Sequence, residues 1–102
     1  MRKIEKEMQN ALRNKVNWSK SNTSVSVDNV GTQFVTLHGN CIATISNFGD
    51  IRLSSCGWQT VTTKSRLNAI LDTFLHGLSV YQKNFEWFIG DDDFFDGYTI
   101  HR

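Results

Sequence analysis

The sequence lacks most of the features that assign a chain to a functional class at first sight. No apolar run approaches the ~18 residues that a membrane-spanning helix needs, and no basic segment followed by an apolar one marks a secretion leader. The formal net charge is +1, which excludes an acidic mimic of DNA and provides no overall electrostatic attraction to nucleic acid. We therefore expect a cytoplasmic protein that does not act at a membrane.

Cysteines and catalytic motifs are also scarce. Only Cys41 and Cys56 are present, without the paired Cys-x-x-Cys spacing of zinc sites. We expect two small buried thiols, with a bridge between neighbouring strands as the alternative. The chain has no Gly-x-Ser-x-Gly elbow, His-Glu-x-x-His pair, P-loop or dinucleotide fingerprint, and no second histidine is near His38. The sequence thus predicts a protein that is not an enzyme and that holds no cofactor or metal.

What the chain does contain is the composition of one globular domain. Of its 102 residues, 39% are apolar and 21% are charged, which suffices for a core without disulfide or metal staples. The clearest element is a helix predicted over 63–76, with Thr62 or Thr63 as its N-cap and Gly77 just after its end. Its apolar stripe follows helical spacing through Leu67, Ile70, Leu71, Phe74 and Leu75.

Several shorter segments alternate apolar and polar residues, as half-buried strands do. Strands are expected at 23–27, 33–38, 41–46, 51–55, 85–89 (with Phe85 on the inner face) and 98–100. Gly39-Asn40 predicts a type II′ hairpin turn, and the resulting register pairs Leu37 with Ile42, Val35 with Thr44 and Phe34 with Ile45. The expected fold is α+β: an antiparallel meander of five or six strands, one helix packed on a face, and an N-terminal amphipathic helix.

The N-terminal helix is predicted over residues 1–16, and its apolar stripe consists of Ile4, Met8, Ala11, Leu12 and Val16. Either it packs on the sheet, or a partner completes its stripe, which includes a second copy of this chain in a homo-oligomer. We place residues 1–22 as helix and connector and residues 23–102 as a single α+β domain.

The start of the helix predicted over 63–76 carries residues of the types that bind anions. Free backbone amides, hydroxyls and two cations are expected together there, and Trp58 and Gln59 can add a stacking face and a hydrogen bond, as in readers of single-stranded nucleic acid. The candidate set for an anion or a partner is Trp58, Gln59, Thr62, Thr63, Lys64, Ser65 and Arg66. The alternatives are ordinary capping, or pairing of Lys64 and Arg66 with the acidic loop Asp91–Asp93.

Aromatic residues outside the predicted core form a second candidate set for partner contacts: Trp18, Phe48, Phe94 and Phe95. Trp18 is expected either to cover the edge of the core or to contact a partner. Phe94 and Phe95 lie within an aspartate-rich loop whose spacing does not match a calcium-binding EF-hand, so we expect a solvated acidic turn and no metal.

Four segments resemble a family of small tailed-bacteriophage proteins of unassigned function. They are Leu37-His38-Gly39-Asn40-x-Ile42-Ala43, Gly57-Trp58-x-Thr60-x-Thr62-Thr63-Lys64-Ser65-Arg66-Leu67-Asn68-Ala69-x-Leu71, Gln82-Lys83-Asn84-Phe85-x-Trp87 and Phe95-Asp96-Gly97. The resemblance spans about residues 23–101. It implies a phage accessory protein made in the host bacterial cytoplasm, and it carries no catalytic residues to this chain.

Two functional hypotheses follow. The first is a non-enzymatic binding protein of a phage that occludes a surface of a host or defence-system protein, using its spare aromatic residues. The second is a nucleic-acid or nucleotide-binding module that uses the helix start from Thr62 to Arg66.

Overall fold

The computed structural model describes residues 1–102, which form two helices and two antiparallel sheets. The elements in chain order are α1 (Lys3–Asn14), β1 (Trp18–Lys20), β2 (Thr23–Val27), β3 (Gln33–Leu37), β4 (Asn40–Ile45), β5 (Ile51–Leu53), α2 (Val61–Phe74), β6 (Val80–Lys83), β7 (Glu86–Ile89), β8 (Asp92–Asp93) and β9 (Tyr98–Ile100). Neither helix is long and apolar enough to cross a membrane.

The main sheet has six strands in the order β1-β2-β3-β4-β5-β9. The first five follow each other as a meander, and β9 returns from the C-terminal part of the chain to pair with β5. The predicted α+β class with an antiparallel sheet of five or six strands is confirmed.

One face of this sheet forms the core. In β3 the residues Gln33, Val35 and Leu37 are buried while the two between them are only partly covered, as the alternation of side chains along a strand requires. Both helices contribute to the same cluster of buried residues: α1 adds Met8, Ala11 and Leu12, and α2 adds Leu67, Ala69, Ile70 and Leu71.

Helix α1 is therefore part of the core that the sheet and α2 build. Its stripe is shorter than predicted, because the helix ends at Asn14, Lys15 caps it in the left-handed conformation (φ 51°), and Val16 is exposed. The boundary predicted after residue 22 separates three core residues from the rest, and a truncation experiment tests whether residues 23–102 fold alone.

Helix α2 begins and ends two residues earlier than predicted. Its N-cap is Thr60, whose hydroxyl accepts a hydrogen bond from the Thr63 amide at 3.1 Å, so neither Thr62 nor Thr63 is the cap. Gly77 has a positive φ of 83°, but it lies in the turn after the helix rather than at its capping position.

The β3–β4 hairpin differs from the predicted register. Its two central turn residues are His38 and Gly39, with φ of 52° and 79°. Two positive φ values are those of a type I′ turn rather than the expected type II′ turn at Gly39-Asn40. A bulge leaves Ile42 unpaired and buries it beside Ala43. The observed partners are Leu37 with Asn40, Val35 with Ala43 and Phe34 with Thr44.

The small sheet β6-β7-β8 was not expected from the sequence. Its first hairpin turns at Asn84 and Phe85, which both have positive φ (52° and 66°). Phe85 is 92% exposed, so its predicted place on the inner face is wrong. An aromatic residue rarely adopts this conformation, so the sequence pattern placed Phe85 in the strand. The rest of the predicted strand, 86–89, forms β7.

The two cysteines are free and exposed, which contradicts the expected burial. Cys41 pairs with Thr36 rather than with a core residue, and Cys56 lies in the turn between β5 and α2 with a φ of 53°.

Candidate functional site

A groove of about 440 Å³ lies between the tip of the β3–β4 hairpin and the start of α2. Apolar side chains of Leu37 and Ile42 line it together with polar groups from both sides. The polar and aromatic lining comprises His38, Asn40, Ser55, Trp58, Thr60, Thr62 and Thr63. The site thus brings the hairpin and the predicted helix start together, although they lie about twenty positions apart in the sequence.

The start of α2 presents unpaired backbone amides at this groove. Thr60 satisfies the amides of Thr63 and Lys64, through its hydroxyl and its carbonyl respectively. The amides of Val61 and Thr62 have no acceptor within the chain, as expected for the first turn of a helix. Together with the positive end of the helix dipole they favour an anion or a polar partner group at this end.

Arg66 and Ser65 both bind Glu5 of α1 instead of the acidic loop or a ligand in the groove. Arg66 is 3% exposed, its Nη1 lies 2.7 Å from Glu5 Oε2, and its Nε donates to Thr23 Oγ1 at 2.9 Å. The Ser65 hydroxyl donates to the same Glu5 oxygen at 2.5 Å. Pairing of Arg66 with the acidic loop is therefore wrong, and neither side chain is free to hold a ligand in the groove.

Lys64 forms no ion pair with the acidic loop or with any other carboxylate. The helix start consequently keeps one unpaired cation where the sequence indicated two.

Glu5 is the residue that the sequence analysis missed at this helix. Burial raises the pKa of its carboxyl. Hydrogen bonds from Ser65, from Arg66 and from the Arg2 backbone lower the pKa by more than burial raises it, so the net pKa lies below the ordinary value of 4.5. The ion pair therefore stays charged at neutral pH and joins α1 to α2 inside the protein. No local signal marks it, because Glu5 and Arg66 are 61 positions apart.

Asp96 fixes the turn that leads into α2. Its Oδ1 accepts hydrogen bonds at 2.8 Å from both the amide and the hydroxyl of Ser55, and its Oδ2 accepts one from the Gly57 amide at 3.3 Å. Burial raises the pKa of Asp96, while these hydrogen bonds lower it to a net value below 3.8. Asp96 is thus a structural anchor rather than part of a solvated acidic turn, and it ties the Phe95-Asp96-Gly97 segment to the segment before α2.

Three apolar residues of the two segments that Asp96 joins have exposed side chains. Trp58 is 64% exposed, Val61 is 71% exposed, and Phe95, which precedes Asp96, is 59% exposed. We call this set, Trp58, Val61 and Phe95, the Trp58 face. Gln59 beside it is also exposed, and its side chain makes no hydrogen bond in the chain.

The other candidate aromatics do not belong to this face. Trp18 is partly buried and packs against the core, which supports its role as a cover of the core edge. Phe94 is 7% exposed and contacts Trp87 at 5.8 Å between ring centroids, so it is a core residue. Phe48 is 83% exposed in the turn between β4 and β5, at the end of those strands opposite to Cys41 and Ser54. The structure contains no group of three or more His, Cys, Asp or Glu side chains placed to hold a metal ion.

The sequence matches one family model, described as Kyanoviridae Gp96 protein, over residues 1–101. Because this match covers nearly the whole chain and includes α1, the chain belongs to this family of cyanophage proteins. The expected membership of a phage protein family is supported, and the matched residues include the N-terminal helix, which lies outside the resemblance over about residues 23–101. No curated protein and no solved structure matches the chain.

Proposed function

We propose that this phage protein is a non-enzymatic binding protein that occludes a surface of a host or defence-system protein in the host bacterial cytoplasm. The observation that carries the proposal is the Trp58 face. Exposed apolar patches mark interaction sites, and the three exposed side chains of this set come from two chain segments that Asp96 joins. Tryptophan in particular contributes a large share of the binding energy at protein–protein interfaces.

The support beneath Trp58 favours the same interpretation. Asp96 holds the turn on the N-terminal side of Trp58, and the Thr60 cap holds the helix start on its C-terminal side. A contact residue that is positioned before binding loses less conformational entropy when the complex forms. The adjacent groove has an apolar lining from Leu37 and Ile42 and a rim of hydroxyl groups, which resembles the apolar centre and polar rim of interfaces.

A nucleic-acid or nucleotide-binding role is the second candidate. The unpaired amides of Val61 and Thr62, the nearby Lys64 and the exposed indole of Trp58 favour it. It ranks second because Arg66 and Ser65 are engaged by Glu5. A single cation gives only a small share of the phosphate neutralisation that such binding uses.

A pull-down with the tagged full-length chain from infected host lysate, with and without nuclease, separates the two roles. We expect a protein partner that survives nuclease treatment, is lost with Trp58→Ala, and is retained by the matched control Phe48→Ala. Recovery of nucleic acid without a protein partner would support the second role instead. A partner that binds Trp58→Ala as strongly as the wild type would contradict the assigned surface.

A further inference from the structure

Cys41 and Cys56, the two cysteines of the chain, lie together at the edge of the groove. The Cys56 sulfur is 3.0 Å from the backbone carbonyl oxygen of Cys41. The hydrogen bonds between β4 and β5 continue close to the cysteines, because the Ser54 amide donates to the Ile42 carbonyl at 2.8 Å. In the β4–β5 register Ala43 faces Leu53, so a continued ladder places Cys41 opposite Ser55, the residue before Cys56. A disulfide needs Cα atoms about 4.4–6.8 Å apart.

The backbone around Cys56 is held so that its thiol faces β4. Its φ of 53° is one that residues other than glycine rarely adopt. The amides on both sides, Ser55 and Gly57, donate to Asp96, and the Cys56 amide donates to Ser54 Oγ at 3.0 Å. The position of the thiol is therefore set by a hydrogen-bond network and not by packing in the core.

Both thiols are accessible and neither is committed to a strong interaction. Both side chains are exposed. The Cys41 sulfur contacts the Ala43 carbonyl at 3.4 Å and Thr44 Oγ1 at 3.8 Å, and thiols are weak donors. A change of the Cys41 side-chain rotamer therefore breaks only weak contacts, and a bridge to Cys56 requires such a change.

We propose that Cys41 and Cys56 are a reversible oxidation site, which forms an intramolecular disulfide when the protein meets a small-molecule disulfide such as glutathione disulfide. The thiolate of Cys56 attacks one sulfur of the oxidant, the bond between its two sulfurs breaks, and one glutathione leaves as a thiol with the proton lost by Cys56. The thiolate of Cys41 then attacks the Cys56 sulfur, and the second glutathione leaves with the proton lost by Cys41. Two protein thiols are oxidised, and one glutathione disulfide is reduced to two thiols.

Neither cysteine lines the groove, but each is next to residues that do. Cys41 lies between Asn40 and Ile42 on one wall, and Cys56 follows Ser55 on the other. The Ser54 amide already donates to the Ile42 carbonyl here, and the disulfide adds a covalent link between the two segments beside the groove.

Mass spectrometry of the full-length protein under non-reducing conditions tests the proposal. After incubation with glutathione disulfide we expect a monomer that has lost two hydrogen atoms, carries no free thiol, and recovers both thiols in dithiothreitol. The variant Cys41→Ser should stop at a single attached glutathione, because the resolving thiol is missing. A wild-type protein that carries two glutathiones, or that forms disulfide-linked dimers, would overturn the proposal.

Discussion

Replacement of Glu5 by alanine is expected to be among the most destabilising single changes in this protein. Glu5 is 2% exposed and accepts hydrogen bonds from both Arg66 and Ser65. Glu5→Ala leaves the guanidinium of Arg66, itself 3% exposed, inside the protein without a counter-charge. An unpaired buried charge is costly because it has lost its hydration and gained no partner.

The expected loss is about 3–5 kcal/mol, as for other buried ion pairs from which one partner is removed. A domain of this size has a total stability of about 5–15 kcal/mol, so the variant loses a large part of it. At about 4–8 °C per kcal/mol for a small domain, the melting temperature should fall by roughly 12–40 °C.

Urea unfolding followed by circular dichroism measures this effect, and the chain offers a matched control. Glu7 pairs with Lys20 at 2.9 Å on the surface, so Glu7→Ala should cost at most about 1 kcal/mol. The double change Glu5→Leu with Arg66→Met removes both charges and should recover most of the stability, because apolar replacements of buried ion pairs are often neutral. A Glu5→Ala variant within 1 kcal/mol of the wild type would refute the buried pair.

Three further outcomes are expected. Because the folded-state pKa values of Glu5 and Asp96 are depressed, their contribution to stability is fully present above their ordinary pKa values of 4.5 and 3.8. It is lost as the pH falls through the folded-state values. The urea midpoint of unfolding should therefore stay constant from neutral pH to about pH 5 and decrease below it. Asp96→Asn should make that decrease smaller. A urea midpoint that does not change with pH would contradict the pKa shifts. Deletion of residues 1–22 should leave a chain without cooperative thermal unfolding, since it removes Glu5 and three core residues; a folded fragment would show that residues 23–102 are an independent domain. Leu71→Ala, at a fully buried position, should cost about 2–5 kcal/mol in urea unfolding, and an unchanged midpoint would place α2 off the core.

The parts of the fold that the sequence predicts are those with a clear local period. Residues 23–27 alternate strictly, and the stripe from Leu67 to Leu71 follows helical spacing, so β2 and α2 were recognised. The turns at His38-Gly39 and Asn84-Phe85 were missed, because each puts a residue other than glycine or asparagine at positive φ. Such turns are maintained by the pairing of the flanking strands, and local residue preferences do not indicate them.

Three of the predicted candidate residues, Trp58, Thr62 and Thr63, line the groove, but the contacts that hold this region together were not predicted. The position of Trp58 and the helix start depends on local motifs, whereas the roles of Arg66 and Asp96 depend on partners 61 and 41 positions away. A charged residue on an amphipathic helix is ordinarily solvated, so nothing local distinguished Arg66 from Lys64. Long-range pairs of this kind become visible only when the helices and strands are assembled.

Site-specific photocrosslinking tests the central claim, that the Trp58 face contacts a host or defence-system protein, most directly. A photoreactive phenylalanine derivative is placed at residue 58 or, as the control, at residue 48, and the protein is irradiated in infected host cells. We expect one protein crosslinked to residue 58 and none to residue 48. Crosslinking to nucleic acid at residue 58, or the same protein captured equally at both positions, would contradict the account.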